Sequence, residues 1–212
     1  MGDRPPNLKD VLMARIKQST LEDVQQNTRD LLLQAAAVAF AKDGYDAANI
    51  NQISLNAGFA KGTVYNYFQS KRILLITLID EVAAAHCGFM MEQISLESDP
   101  QQRLEKLFGT GFVYVKQNIA KMRAILNILY GHDIELKTRL FQAYQPIINY
   151  VKTEILRQGA EQGEFEPVNE NEFSLLILSL YMGLSTQADE QGNIWISADR
   201  AANLLLNGLL KR

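Results

Sequence analysis

The sequence predicts an all-α protein, and three observations carry that prediction. Apolar residues recur every three or four positions along nearly the whole chain, runs of alternating β-branched residues are absent, and residues able to cap helices precede many of the apolar stripes. The 212 residues, 47% of them apolar, suffice for one or two domains with an ordinary core. This composition excludes a disordered or collagen-like chain.

Residues 27–72 are predicted to form three short helices. Thr28 is placed to cap the first helix, which Gly44 ends as a residue suited to the left-handed conformation. Asn49 caps the second helix, and Gly58 turns the chain toward a third helix over residues 60–68. Three helices with a glycine-containing turn before the last are the pattern of a helix-turn-helix.

The predicted third helix exposes an unusual set of polar and aromatic side chains. Its helical spacing turns Val64 and Phe68 inward and leaves most of its other side chains exposed. Hydroxyls, amides and a lysine suit phosphates and base edges in a major groove, and a glycine lets the backbone approach closely. The alternative is a three-helix bundle whose tyrosines pack on a neighbouring element. The exposed candidates are Lys61, Gly62, Thr63, Tyr65, Asn66 and Tyr67.

The remainder of the chain is predicted to be a bundle of longer helices. Residues 1–26 form an N-terminal extension, which is either a separate amphipathic helix or a continuation of the next helix. Residues 27–72 form the helix-turn-helix domain and residues 73–212 the bundle, with a kink or break expected at Pro146. The predicted helices of the bundle cover residues 70–94, about 100–115, 119–130, 134–162, 171–188 and 197–211.

Charge is distributed unevenly between these parts. The whole chain has a net charge of −3, whereas residues 27–72 hold five basic and three acidic residues and are net positive. Residues 1–26 are balanced, so residues 73–212 carry a net charge of −5. A polyanion such as DNA is therefore attracted to the helix-turn-helix end.

The composition also bears on the function classes. One cysteine and two histidines leave too few ligands for a typical metal site, and no nucleophile elbow, phosphate-binding loop or zincin motif is present. We therefore expect no enzyme activity, no metal and no cofactor. Cys87 and His86 are expected to pack within a helix, and His132-Asp133 to mark a break between helices. The polar N-terminus, the single cysteine and the lack of a run of about 18 apolar residues indicate a cytoplasmic protein without a membrane span.

Residues 28–71 resemble the TetR family of bacterial transcriptional repressors. The order and spacing of the matching pieces make the resemblance specific, and beyond residue 75 it is one of architecture only. The pieces are Thr-Arg-Asp-x-x-Leu-x-Ala-Ala at 28–36, Phe-Ala-x-x-Gly-Tyr-x-Ala at 40–47, Ile53 with Ala57-Gly58, and Lys-Gly-Thr-Val-Tyr-x-Tyr-Phe-x-Ser-Lys at 61–71.

The resemblance implies a set of DNA contacts. Thr28 and Asn49, at expected helix starts, and Lys71 correspond to phosphate-binding positions. Residues Lys61, Gly62, Thr63, Tyr65, Asn66 and Tyr67 correspond to the recognition helix. One departure matters, because Ala60 stands where the family has a capping Ser or Thr. The start of that helix should therefore lose roughly 1 kcal/mol of stabilisation.

The resemblance also implies an apolar effector cavity in the bundle and a dimer formed by the last two helices. Core packing is the alternative explanation of the same aromatic stripe. The ligand-binding candidates are Phe112, Met122, Tyr130, Phe141, Tyr144 and Tyr181. The dimerisation candidates are Phe173, Ile177, Leu180, Leu184, Leu205 and Leu209.

These expectations combine into one function. The chain is expected to be a homodimeric, ligand-responsive regulator, most simply a repressor, that binds a palindromic operator in double-stranded DNA and is released by a small organic effector. Two alternatives remain open at this point. One is a helical small-molecule-binding protein without DNA binding, and the other is an all-α enzyme.

Overall fold

The computed structural model describes the backbone of residues 8–209 and the side chains of residues 20–209. Within these ranges the chain is helical and has no β-strand, as predicted. The ten α-helices are α1 (Leu8–Ala47), α2 (Ile50–Asn56), α3 (Lys71–Ile94), α4 (Pro100–Gln117), α5 (Ile119–Leu126), α6 (Ile134–Ala143), α7 (Gln145–Tyr150), α8 (Gln158–Glu161), α9 (Glu170–Ser185) and α10 (Ala198–Leu209).

Helix α1 is longer than predicted. It runs without a break from residue 8, so residues 8–26 continue the first helix, and the part of the extension at residues 1–7 lies outside the described residues. Thr28 is therefore not an N-cap, and that prediction is wrong. Its hydroxyl donates to the Val24 carbonyl at 2.9 Å, one turn earlier in the same helix. The predicted break at Gly44 is confirmed, because its φ of 74° and ψ of 168° are not helical.

Helix α2 begins where predicted, but the third predicted helix is different. The Asn49 side chain accepts the N–H groups of Asn51 and Gln52 at 2.9 and 3.3 Å, which makes it the N-cap of α2. Residues 60–68 do not form an α-helix. They contain one 3-10 turn, Thr63–Asn66.

The absence of a cap explains this 3-10 turn. Ala60 has no side-chain acceptor, and Gly62, the residue before the turn, lies in the left-handed region at a φ of 81°, outside the helical range. The Thr63 hydroxyl donates back to the Ala60 carbonyl at 2.8 Å and closes the turn.

The helix-turn-helix packs around a small apolar core. Val64 and Phe68 are buried, as predicted, against the buried faces of α1 and α2. The Val64 N–H donates to the buried Ser54 hydroxyl at 3.2 Å, which ties the 3-10 turn to α2. The turn is thus positioned by two buried side chains and one buried hydrogen bond.

Helix α3 starts in this domain and ends in the bundle. Ser70 caps it by accepting the Ile73 N–H at 3.2 Å. By length and composition α3 could cross a membrane, since its most apolar 18-residue window has a mean hydropathy of 1.7. Half of that window is buried inside the protein, so the hydropathy belongs to a core helix. The buried residues are Leu74, Leu75, Leu78, Ile79, Val82, Ala83, His86, Cys87, Met90 and Ile94.

The bundle surrounds the second half of α3. Helix α1 packs on α5, and α4 packs on both α3 and α10. The predicted helix over residues 134–162 is interrupted, as Pro146 indicated, because α7 restarts there with the proline in its first turn. A π-helical segment, Val151–Arg157, then leads into α8. The last predicted helix is confirmed to Leu209, and residues 210–212 lie outside the described range.

Two glycines in α4 have different surroundings. A Cβ at Gly111 would lie 2.7 Å from both Cζ and the hydroxyl oxygen of Tyr181, whereas a Cβ at Gly109 would meet only the Ala198 Cβ, 4.0 Å away. Gly111 therefore permits the close approach of the Tyr181 ring on α9. Gly111 is therefore a site of close helix packing.

We predict that Gly111→Ala destabilises the protein by about 1–3 kcal/mol, because Tyr181 must leave its place in the core. Gly109→Ala is the matched control on the same helix and should be neutral or stabilising by up to about 1 kcal/mol. Urea unfolding followed by circular dichroism measures both free energies. Equal stability of the two variants would contradict the packing described.

Candidate DNA interface and effector cavity

The polar surface predicted for DNA is present at the helix-turn-helix end. Lys61, Tyr65 and Asn66 are exposed, and Thr63 and Tyr67 are partly exposed. We call residues 61–67 the recognition segment. A surface depression is lined jointly by Thr28 of α1 and by parts of this segment, including Thr63 and Asn66. Although Thr28 is not a cap, it lies beside residues of the recognition segment, with which it was predicted to contact DNA.

The other two predicted phosphate contacts already have partners within the protein. The Lys71 ammonium donates to the Asp46 carbonyl at 2.9 Å and lies 4.9 Å from the centre of the Tyr45 ring. The Asn49 amide oxygen accepts hydrogen bonds from two backbone N–H groups in the first turn of α2. Both residues support the geometry of the domain, and each retains some exposure on its surface.

Arg72, next to Lys71, connects the DNA-binding domain to the bundle. Its guanidinium donates to Asp133 at 2.7 Å and to Glu135 at 2.5 Å. Asp133 also caps α6 by accepting the Leu136 N–H at 3.0 Å. The Arg72 hydrogen bond, helped by that backbone N–H, lowers the pKa of Asp133 to about 2. We call these contacts the Arg72 ion pairs. They hold the start of α3 against the start of α6.

The effector cavity lies between α3, α4, α7, the π-helical segment and α9. Its free volume is about 10 Å³, which is room for about one water molecule. Its walls are Met90, Leu107, Tyr144, Ile147, Ile148, Val151, Ser174, Ile177, Leu178 and Tyr181. The cavity is narrow, and any larger ligand has to move the helices apart.

Two of the six predicted ligand residues, Tyr144 and Tyr181, line this cavity. The other four are placed elsewhere. Met122 is buried outside the lining, and Tyr130 is 69% exposed. Phe112 and Phe141 are half-buried, and the Phe112 ring packs behind Tyr181 at 6.0 Å between ring centres. The sequence did not predict the aliphatic residues that line the cavity, because aliphatic side chains in a core and in a cavity have the same sequence pattern.

His86, which the sequence pointed to only as a packed residue, connects the two tyrosines. It is fully buried, and its ring nitrogens lie 2.9 Å from the hydroxyl oxygens of Tyr144 and Tyr181. The Tyr114 ring stacks on it at 4.4 Å between ring centres. Burial lowers the pKa of His86 to about 3, so the imidazole is neutral. A histidine on the apolar face of α3 was the signal that could have revealed this contact.

Cys87 is buried, as predicted. Burial raises the pKa of its thiol to about 11, so the group is a protonated packing residue near neutral pH.

The predicted dimer residues divide into two groups. Ile177, Leu184 and Leu209 are buried within the chain and are not on its surface, so the structure corrects these three assignments. Phe173, Leu180 and Leu205 are half-buried. The apolar residues that α9 and α10 do expose are Leu175, Leu176 and Leu204, which are 45%, 52% and 62% exposed. The helical faces were assigned one position out of register, because both helices carry apolar residues on more than one side.

Comparison with known proteins agrees with this architecture. Residues 32–78 match the family profile described as bacterial regulatory proteins, tetR family. The fatty acid metabolism regulator protein of Bacillus subtilis is 26% identical over 137 residues, covering 64% of this chain and 69% of that protein. The HTH-type transcriptional repressor KstR2 of Mycobacterium tuberculosis is 26% identical over 153 residues, covering 66% of this chain and 70% of that protein.

By this match, residues 32–78 form a DNA-binding domain of the tetR family type. The chain is similar to DNA-binding transcriptional regulators over about two thirds of its length, and its fold is that of solved regulators. The crystal structure of the regulator FadR from B. subtilis, in complex with stearoyl-CoA, superposes with a TM-score of 0.73 at 22% identity. That match covers 84% of this chain and 97% of FadR.

We predict that Lys61→Ala weakens binding of the protein to every DNA sequence and makes the slope of log affinity against log salt less negative by about 1, because one phosphate contact is lost. Lys116→Ala, a change of the same charge at the exposed end of α4, is the control. Fluorescence anisotropy over a salt series measures both slopes. Identical slopes for the two variants would remove Lys61 from the DNA interface.

Proposed function

We propose that this chain is a cytoplasmic, homodimeric repressor that binds a pseudo-palindromic operator and releases it when an acyl thioester of coenzyme A enters the bundle. The observation that carries the proposal is the course of α3. This single helix begins four residues after the exposed recognition segment. It contributes Met90 to the wall of a narrow, apolar cavity, and its His86 bonds Tyr144 in that wall.

The recognition segment has the chemistry to read a major groove. Asn66 presents an amide, Thr63 and Tyr65 present hydroxyls, and Lys61 carries a positive charge. Amides and hydroxyls bond base edges and phosphates, and a lysine binds phosphate as a point charge. Buried Val64 and Phe68 hold the segment from behind, so its polar groups face outward on a fixed base.

The exposed apolar residues of α9 and α10 support a two-fold dimer. Leu176 and Leu204 are each more than half exposed, and Gly183 and Gly208 on the same two helices are exposed as well. Apolar side chains beside glycines allow two helix pairs to approach closely. Two-fold symmetry then presents two recognition segments to successive major grooves, one helical turn of about 34–36 Å apart.

Two findings favour an acyl thioester as the effector. One relative is named a fatty acid metabolism regulator, and FadR, which shares the fold, was solved with stearoyl-CoA. In this chain the cavity walls are aliphatic or aromatic apart from Ser174 and two tyrosine hydroxyls. Such a lining accepts an acyl chain by the hydrophobic effect and leaves the charged coenzyme outside.

The narrowness of the cavity supplies the mechanism of release. Because the free volume holds about one water, an acyl chain has to displace the helices that line the cavity. Helix α3 is rigid and contributes Met90 to the wall, so its displacement changes the position of Lys71 and Arg72 at its other end. The recognition segments of the two subunits then no longer match the spacing of the operator.

Sequence selection tests the DNA-binding half of the proposal. Purified protein is incubated with random double-stranded DNA at low salt, and the bound fraction is sequenced. We expect an inverted repeat, and we expect Asn66→Ala to alter the preferred bases while leaving the symmetry intact. A protein that selects no sequence would instead be a small-molecule-binding protein without operator recognition.

Titration with saturated acyl-CoAs of 4–18 carbons tests the release half. The affinity for the selected operator should fall for at least one chain length, and operator should weaken binding of that acyl-CoA by the same factor. If no acyl-CoA changes the operator affinity, this effector class is excluded. The DNA-binding half of the proposal is not affected by that result.

We predict that Leu176→Asp converts the dimer to a monomer or weakens it at least tenfold, because a carboxylate is then buried at the two-fold contact. Leu96→Asp is the matched control, since Leu96 is 71% exposed and lies in the loop after α3. Sedimentation velocity over a concentration series measures both. Identical oligomeric states of the two variants and the unaltered chain would place the dimer surface elsewhere.

A further inference from the structure

A buried polar group interrupts the apolar wall of the cavity. Tyr144, at the end of α6, and Tyr181, in the middle of α9, both line the cavity and both bond His86 of α3. We call these three residues the tyrosine–histidine bridge. Each tyrosine side chain is at most 2% exposed, so the bridge is shielded from bulk water.

The bridge holds one more hydroxyl proton than its two hydrogen bonds use. A neutral imidazole donates from one ring nitrogen and accepts at the other. One tyrosine therefore donates to His86, while the other accepts from it and does not use its own O–H in these two bonds. Either tautomer leaves one such O–H on Tyr144 or on Tyr181, where the Ser185 side chain is a further hydrogen-bond partner of Tyr181. An oxygen on a ligand in the enlarged cavity is the natural acceptor for that proton.

The surroundings of the bridge are uncharged. None of the residues that line the cavity is Lys, Arg, Asp or Glu. Burial keeps His86 neutral and raises the pKa values of both tyrosines, so neither hydroxyl ionises near neutral pH. A carboxylate placed here has no cation to pair with and loses its hydration, which is strongly unfavourable. The site thus accepts an oxygen but disfavours a negative charge.

We propose that the tyrosine–histidine bridge recognises an uncharged oxygen, a hydroxyl or a carbonyl, on the apolar part of the effector, and that it rejects a free carboxylate. This inference rests on the proposed effector cavity and narrows its ligand class to neutral oxygen-bearing lipids, including the thioester carbonyl or an oxygenated acyl chain. The ligand oxygen accepts the tyrosine O–H that His86 does not use.

The bridge connects this recognition to helix α3. His86 joins α3 to α6 and α9 through two bonds of 2.9 Å. A ligand oxygen that accepts the spare O–H fixes the position of that tyrosine, and His86 is bonded to the same tyrosine. A ligand that is purely apolar fills the cavity without bonding the bridge. The bridge therefore distinguishes ligands that carry a neutral oxygen from ligands that only fill the cavity.

The test uses two eight-carbon probes, 1-octanol and octanoate, on the full chain at pH 7. Their affinities are measured by isothermal titration calorimetry for the unaltered protein, Tyr144→Phe, Tyr181→Phe and Tyr130→Phe. Tyr130→Phe is the matched control, because that tyrosine is 69% exposed and its hydroxyl donates to Thr186 at 2.7 Å, outside the cavity. Operator affinity without any probe is recorded for each variant.

We expect 1-octanol to bind at least tenfold more tightly than octanoate. At least one of Tyr144→Phe and Tyr181→Phe should reduce that ratio about fivefold or more, and Tyr130→Phe should leave it unchanged. The ratio is measured within each variant, so a general loss of stability, which weakens both probes, does not imitate the expected result.

Octanoate binding as tightly as 1-octanol, ratios that neither cavity variant changes, or no binding of either probe would each overturn the assignment of the bridge. Operator binding in the absence of probe is independent of these outcomes. Its failure counts against the proposed function, whereas its presence together with an unchanged ratio counts against the bridge alone.

Discussion

Helix α3 is buried in one apolar core that extends from the helix-turn-helix into the bundle, and the rest of the molecule is arranged around it. Its first turns, at Leu74 and Leu75, pack with the helix-turn-helix, and its later turns, at His86 and Met90, pack in the bundle. Each fully buried aliphatic side chain contributes roughly 1.5–3 kcal/mol, so the helix is firmly held along its length of about 36 Å. A change at one end is therefore passed to the other as a movement of the whole helix.

Surface ion pairs accompany the apolar packing between the DNA-binding domain and the bundle, where α1 packs on α5. The Arg72 ion pairs lie at the surface, as does the ion pair between Arg29 of α1 and Glu81 of α3. Exposed pairs contribute little and are screened by salt. Because the folded-state pKa of Asp133 is lowered to about 2, its contribution is present above about pH 4 and is lost as the pH falls toward 2. Apolar burial therefore holds the two parts together, and the ion pairs add a small contribution that depends on salt and pH.

Sequence reasoning succeeded where the cause of a structure is local. The amide of Asn49 and the break at Gly44 act within a few residues, and both were predicted correctly. The inward faces of Val64 and Phe68 followed from helical spacing alone. The family resemblance also extends over this part of the chain.

Errors arose where distant parts of the chain decide the outcome. Thr28 has the residue type of a cap, but the helix upstream continues through it. The faces of α9 and α10 depend on which side α4 and the π-helical segment occupy, and the cavity depends on five elements meeting. His86 illustrates the same limit, because its two partners lie 58 and 95 residues away in the sequence.

The central claim is that effector binding moves the recognition segments through α3. A spin label at Asp43→Cys, in a chain with Cys87→Ala, reports the distance between the two helix-turn-helix domains of the dimer by pulsed electron resonance. Asp43 is exposed on α1 and lies outside the recognition segment. The account predicts one distance distribution with operator bound and a different one with the acyl-CoA that releases the operator. The same distribution in both complexes, together with loss of operator affinity, would contradict it.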